Sequence, residues 1–224
     1  MPENFHTSKN FFFVKFFFRK NTTLEEVRNI VTFFNLQAED VLKGILNRGG
    51  VPNRPSQHIF REKELQQVKE CLTNLDNGEF IALHGMAGSG KSVLASEVLR
   101  DPEITLKYFP EGVFWFRVGM IDQEKMLNKL KILLEKLNAS SSTNVSTVEF
   151  ALELLRKQFI NRYKNSLLIL DDVWSGNIIQ QFEICAKVLV TTRDKSVMEV
   201  TSNAKVMTLS SGFSLDESLG VLKV

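Results

Sequence analysis

Cysteine is scarce in this chain: Cys71 and Cys185 are the only two among 224 residues. They show no metal-ligand spacing and form no framework of pairs. This excludes a disulfide scaffold or a zinc module, and they read as two buried, reduced thiols in a reducing compartment, the cytoplasm. The three histidines, His6, His58 and His84, form no cluster, and His84 reads as a packed strand residue rather than a catalyst. No segment reaches the roughly 18 apolar residues that a membrane span requires. The aromatic run from Phe11 to Phe18 is short, is interrupted by Lys15 and leads into Arg19 and Lys20. No small-residue cleavage site follows it, so it is a poor secretory signal and reads as an N-terminal oddity of high β-propensity, an aggregation hazard if exposed. The chain also lacks an excess of either charge: the net value is +2. That argues against a nucleic-acid or membrane-surface role, which needs a clustered basic face.

What is present is enough apolar residue, 43% of the chain, to bury a sizeable core in one large domain or one domain with an appendage. Thr22 or Thr23, followed three residues later by Glu25 or Glu26, is a capping-box pattern, and Leu24, Val27, Ile30, Val31 and Phe34 then recur at helical spacing. A second amphipathic stretch covers Ala38 to Leu46. The segment from Gly49 to Pro55 carries two glycines and two prolines and ends that helix, so the main boundary is expected there. Beyond it, apolar strand-like runs (Phe80–His84, Val113–Val118, Leu167–Leu170, Lys187–Thr192, Lys205–Leu209) alternate with helical spacing over Lys91–Leu99, Glu124–Leu137 and Val148–Tyr163. Lys129, Lys131 and Lys136 read as a solvated helix face. The alternation predicts an α/β fold, a parallel sheet with helices on both faces. The expected organisation is an unassigned, partly helical extension over 1–48, a nucleotide-binding domain over 49–210, and the start of a helical subdomain over 211–224.

The chemistry concentrates in three places. Gly85-Met86-Ala87-Gly88-Ser89-Gly90-Lys91-Ser92 has the form Gly-x-x-x-x-Gly-Lys-Ser and lies between a strand and a helix, the context a phosphate-binding loop demands. Its glycines let backbone N–H groups wrap phosphates, and the helix start, reaching Val93, adds its positive dipole end. Lys91 supplies a mobile ammonium, and the Ser92 hydroxyl suits a magnesium ligand. About eighty residues on, the apolar run Leu167–Leu170 ends in Asp171-Asp172. This places carboxylates at the carboxyl edge of the sheet, Asp171 as a second magnesium group and Asp172 as a water-activating base. Arg193, closing Thr191-Thr192-Arg193, has a guanidinium suited to a terminal phosphate. Trp115 and Trp174 read as core or rim aromatics.

On the stretches GGVPNRP, HGMAGSGKSVLASEVLRD, FPEGVFWFRVG, SLLILDDVW and VLVTTRDKSV the chain resembles the NB-ARC family of apoptosis-type signalling ATPases, with the order and spacing matching from about Val41 onward. The resemblance implies a five-stranded parallel P-loop sheet in which the strand ending in Thr192 lies between the P-loop strand and the strand ending in the two aspartates. It implies ADP or ATP with Mg2+ as the ligand, at most slow hydrolysis used as a switch, and Arg193 in a sensor position. It also implies an adenine contact from the segment before the domain. There this sequence reads Ile59-Phe60-Arg61-Glu62, lacking the family's glycine, so Ile59 and Arg61 are the candidates. In a full-length relative such a switch would drive a homo-oligomer that recruits caspase-type partners. The recruitment domain, the winged-helix segment and the repeat sensor of such relatives have no counterpart in these 224 residues, so the expectation is a truncated nucleotide-binding domain. Two other readings stay open: a self-sufficient P-loop ATPase or kinase, for which no acceptor site or basic lid is apparent, and a truncated product without function.

Overall fold

The computed structural model of the chain describes residues 38–56, 61–120, 122–139 and 145–209. The Phe11–Phe18 run, the helix expected after Thr22, Ile59 and the helical start expected over 211–224 lie outside those residues. In chain order the elements are α1 (Ala38–Gly49), α2 (Glu62–Thr73), β1 (Phe80–His84), α3 (Lys91–Val98), α4 (Pro102–Tyr108), β2 (Gly112–Arg117), α5 (Gln123–Lys136), α6 (Val148–Asn161), β3 (Ser166–Val173), α7 (Gly176–Gln181), β4 (Lys187–Thr192), a single 3-10 turn (Lys195–Met198) and β5 (Ala204–Thr208).

The strands pair in the order β2-β3-β4-β1-β5, every pair parallel. The inner strands read as continuous apolar runs because the two faces of the sheet feed two separate cores. Phe80, Ala82, Phe114, Phe116, Leu168, Leu170, Val188 and Val190 point into the core with the apolar residues of α5, α6 and α7. Their alternates Ile81, Leu83, Val113, Trp115, Leu167, Ile169 and Leu189 point into the core with those of α1 to α4. Aromatic edges knit the first core: Phe114 meets Phe159 and Tyr163 in T-shaped contacts at 6.1 and 5.3 Å, and the buried Tyr163 hydroxyl donates to the Leu137 carbonyl at 3.0 Å. Each such ring taken from water stabilises the fold by about 1.5–3 kcal/mol.

The helix expected over Ala38–Leu46 runs three residues further, to Gly49. It ends as glycine helix stops do: Gly50 takes φ +75°, its N–H donates to the Asn47 carbonyl, and the Val51 N–H reaches back to the Leu46 carbonyl at 3.0 Å. The Gly49–Pro55 stretch does not separate one core from another. Leu42, Ile45 and Leu46 of α1 share one core with Val113 and Trp115 of β2, so this helix is a layer of the sheet domain. Gly49 makes the approach possible, since a Cβ there would fall 1.8 Å from the Val113 carbonyl oxygen.

Cys71 is buried as expected, whereas Cys185 is exposed. Lys129 and Lys136, expected on a solvated face, fold back instead. Lys129 Nζ donates to the Arg117 and Val118 carbonyls at 2.7 and 3.0 Å, and Lys136 Nζ to the Gly49 carbonyl at 3.3 Å. Their stems lie along apolar surface while the ammoniums satisfy carbonyls at the end of β2 and of α1.

Gly49→Ala is therefore expected to cost about 2–3 kcal/mol through overpacking against the β2 backbone, lowering Tm by about 4–10 °C. Gly44, whose Cβ would meet nothing within 4 Å, is the control: Gly44→Ala is expected to raise stability by about 0.5–1 kcal/mol. Thermal unfolding of the two variants side by side checks this.

Candidate functional site

Three neighbouring strands, β3, β4 and β1, end at one edge of the sheet, and most of the residues singled out above lie at their carboxyl ends or just beyond them. Ligands of open parallel sheets bind outside this carboxyl edge. The loop after β1 holds its shape for two different reasons. Gly88 and Gly90 have φ of +75° and +85° although a Cβ at either would meet open space, so the requirement is dihedral. Gly85 is needed for room: its Cβ would sit 2.9 Å from Ser89 Oγ and 3.3 Å from the Leu209 carbonyl oxygen. Met86, Ala87 and Gly88 are exposed at the tip. Gly90 starts α3 without a side-chain cap, which leaves the first-turn N–H groups of Lys91, Ser92 and Val93 without intrahelical acceptors.

Lys91 is buried, and its Nζ lies inside the loop, donating to the Gly85 and Met86 carbonyls at 2.7 and 2.6 Å and to Ser89 Oγ at 3.3 Å. Burial lowers its pKa below the ordinary lysine value and the nearby Arg193 lowers it further, while Asp172 and Asp171 oppose both effects.

Asp171 is the point of convergence. Its Oδ1 accepts from the Ser92 hydroxyl at 2.5 Å and from the Thr191 hydroxyl at 2.8 Å, at 6% exposure. Asp172 departs from strand geometry. The register between β3 and β4 shifts between Leu170 and Val173, and Asp172 has φ +59°. Non-glycine residues rarely adopt that conformation, aspartate more readily than most. The Asp172 N–H donates to Thr191 Oγ1 at 2.9 Å, which pins the irregular residue to β4. Its carboxylate turns toward the mouth and pairs with Arg193 Nε at 3.4 Å. The Arg193 guanidinium also lies over the Trp174 ring, 4.7 Å from the centroid.

The geometry thus brings together Lys91, Ser92, Asp171, Asp172 and Arg193. His84, at the end of β1, is half-buried with Nδ1 3.4 Å from Thr208 Oγ1. Arg61 is buried at the amino-terminal end of α2, 4.0 Å from Glu64, and α2 packs on α3. Sequence reasoning does not single out Thr191, which reads as the end of a strand, or Trp174, which reads as a core or rim aromatic. A hydroxyl beside two carboxylates on the next strand is the available signal for Thr191. Among the described residues no group of three or more His, Cys, Asp or Glu side chains is placed to hold a metal by itself, and no helix is long and apolar enough to cross a membrane.

The NB-ARC domain profile matches residues 61–224. The chain belongs to the NB-ARC family. It is 36% identical over 188 residues to apoptotic protease-activating factor 1 of Danio rerio, covering 81% of this chain and 15% of that protein. The Homo sapiens protein of that name is 36% identical over 189 residues, covering 82% and 15%. Cell death protein 4 of Caenorhabditis elegans is 27% identical over 183 residues, 78% of this chain and 33% of that protein. The chain therefore spans about 15% of the length of the first two relatives. Among solved structures, the fold matches a signal transduction ATPase with numerous domains from Pyrococcus horikoshii (TM-score 0.52, 17% identity, 77% of this chain and 26% of that one). It also matches Cdc6p from Pyrobaculum aerophilum (TM-score 0.55, 17% identity, 80% and 53%). The sheet has the strand order that the resemblance implies for a P-loop NTPase fold, with β4 between β1 and β3.

Thr191→Val keeps the shape but removes one hydroxyl that serves both aspartates. Its expected cost is about 3 kcal/mol, because it leaves a buried carboxylate oxygen and an amide short of partners. Thr191→Ser keeps the hydroxyl and is expected to lose only about 1 kcal/mol for the methyl. Urea unfolding of both variants measures the difference.

Proposed function

We propose that this NB-ARC domain binds ADP or ATP with Mg2+ and serves as the switch module of an apoptosis-type signalling ATPase, with at most slow hydrolysis. The observation that carries the reading is the buried cluster at the carboxyl edge of the sheet: Lys91 inside its loop, and Ser92 hydrogen-bonded to Asp171. The β- and γ-phosphates would replace the loop carbonyls and Ser89 as partners of the Lys91 ammonium. They would also accept from the N–H groups of Gly88 to Val93. The loop residues Gly85 to Gly90, Met86, Ala87 and Ser89 among them, then act through backbone shape rather than side-chain chemistry.

The donor set fits magnesium. Ser92 Oγ and Asp171 Oδ1 are hard oxygens 2.5 Å apart at the mouth. Mg2+ takes one or two such protein groups and completes its octahedron with phosphate oxygens and water. Ser92 would ligate directly and Asp171 through water, and the ion when bound would neutralise phosphate charge. Asp172, at the edge of the cluster and half-buried beside Arg193, would accept a proton from water, and Arg193 would meet a terminal phosphate. Arg61, with Ile59, is the proposed adenine contact. A homo-oligomer and caspase-type partners are proposed only in the context of a longer chain, in keeping with the names of the relatives, and the cytoplasm is the proposed compartment.

The test is to denature the purified protein, identify the released nucleotide by chromatography, and titrate ADP, ATP and GDP by calorimetry with and without Mg2+. Adenine nucleotides are expected to bind and GDP is not. Lys91→Ala is expected to weaken ADP about ten- to hundredfold, the loss of charge-assisted bonds worth about 1.5–3 kcal/mol. Asp171→Ala is expected to abolish the gain in affinity that Mg2+ brings. Unchanged ADP affinity in Lys91→Ala would show that the phosphates lie elsewhere.

A further inference from the structure

Trp174 leaves 38% of a large aromatic surface in water, on a rim where the core gives it no reason to be. What it does contact is Arg193. The guanidinium carbon is 4.7 Å from the ring centroid, while Nε faces Asp172 Oδ1 at 3.4 Å. The backbone fixes this meeting. Thr192 Oγ1, one residue before Arg193, donates to the carbonyl of Val173, the residue between Asp172 and Trp174, at 2.8 Å. Thr191 Oγ1 accepts from the Asp172 N–H. The end of β4 is thereby tied by two hydrogen bonds to the irregular end of β3 beside the clamp.

We propose that Trp174 and Asp172 form a storage clamp for Arg193, so that Trp174 sets how strongly the site distinguishes a nucleoside triphosphate from a diphosphate. The proposal rests on the nucleotide site described above and adds its regulation. With a diphosphate, or with none, the guanidinium stays over the ring and neutralises Asp172. A terminal phosphate competes for the same cation. Each stored contact is of the weak, half-exposed kind, together a factor of about ten in occupancy. A bidentate bond to a phosphate is stronger than either. Transfer of Arg193 to that phosphate also uncovers the Asp172 carboxylate, so the group placed to take a proton from water becomes free only when there is a terminal phosphate for the water to attack. Trp174 is thus a positioning residue, acting through Arg193.

Tryptophan emission reads the clamp directly. The chain has two tryptophans, and the difference between the parent spectrum and that of Trp174→Phe isolates the exposed one from Trp115. Without nucleotide, Arg193→Ala is expected to change the Trp174 emission, and an unchanged spectrum overturns the clamp whatever the site binds. Mg2+ with the β,γ-imido analogue of ATP is expected to shift the emission in the same direction as Arg193→Ala, and Mg–ADP to leave it in place. Equal responses to the two nucleotides overturn the proposal. Trp174→Ala, with one stored contact gone, is expected to bind the triphosphate analogue about two- to fivefold more tightly with ADP affinity unchanged. Trp174→Phe, which keeps an aromatic face, should fall between it and the parent. A loss shared equally by both nucleotides would make Trp174 merely structural. Failure of either nucleotide to bind the parent chain in equilibrium dialysis would sink the nucleotide site instead, and the nucleotide-free comparison still decides the clamp.

Discussion

One carboxylate oxygen holds the mouth of this sheet together. Asp171 Oδ1 accepts from Ser92 on α3 and Thr191 on β4, so three elements that are distant in sequence meet at a single buried acceptor. The arrangement is possible only because β4 lies between β1 and β3. That order brings the helix following β1 and the strand carrying Thr191 to the same carboxylate. A buried carboxylate is costly unless its lone pairs are used, and here one of the two groups that use them, Ser92, is also one whose position the proposed magnesium chemistry requires. Stability and site geometry therefore rest on the same pair of hydrogen bonds. Thr191 extends the economy by accepting the Asp172 amide on its own oxygen, which lets β3 break register without leaving that amide unpartnered.

Much of the fold was legible because the inner strands are short apolar runs without polar alternation, the mark of a sheet buried on both faces. The shape of the candidate phosphate loop was legible because its residue types answer to backbone geometry: glycines at positive φ, then a lysine and a serine at the first turn of a helix. Other elements escaped. α4 and α7 are too short to show a periodic stripe, and their signals were caps, Asp101 before Pro102 and Ser175 before Gly176. α2 does carry Leu65, Val68 and Leu72 at helical spacing, but no side-chain cap marks its start. The docking of α1 on β2 was invisible because it depends on the absence of a side chain at Gly49, and a Gly-Gly-x-Pro string reads more readily as a break than as a contact.

Charge could not be placed from sequence either. Lys129 and Lys136 look like any solvated helix face, and only the end of β2 and the Schellman-type end of α1 show why their ammoniums turn inward to carbonyls. Arg193 was recognisable as a cation at the carboxyl edge. Its actual partners depend on a register shift at the end of β3, beside Asp172, and a local backbone irregularity leaves no periodic trace.

The site divides into a firm region and a loose one. Lys91, Asp171 and Thr191 are buried, and Lys91, Ser92, Asp171 and Thr191 are each held by at least one hydrogen bond. Asp172, Arg193 and Trp174 are half-open to water and joined by an ion pair and a ring contact, interactions that solvent weakens. A switch needs this asymmetry. Groups that must hold a ligand in every state gain from burial, because a low dielectric strengthens their bonds and prevents exchange. Groups that must report the presence of one additional phosphate cannot be held so tightly, since a ligand shifts an equilibrium only by the difference in its affinity for the two states. Arg193 buried in a strong ion pair would not respond. Left unpaired in water, it would keep more rotamer freedom and leave the Asp172 carboxylate uncovered in every state. The weak clamp lies between these limits, and the +59° φ of Asp172 is the backbone strain that accompanies bringing a carboxylate to the position where the clamp can form.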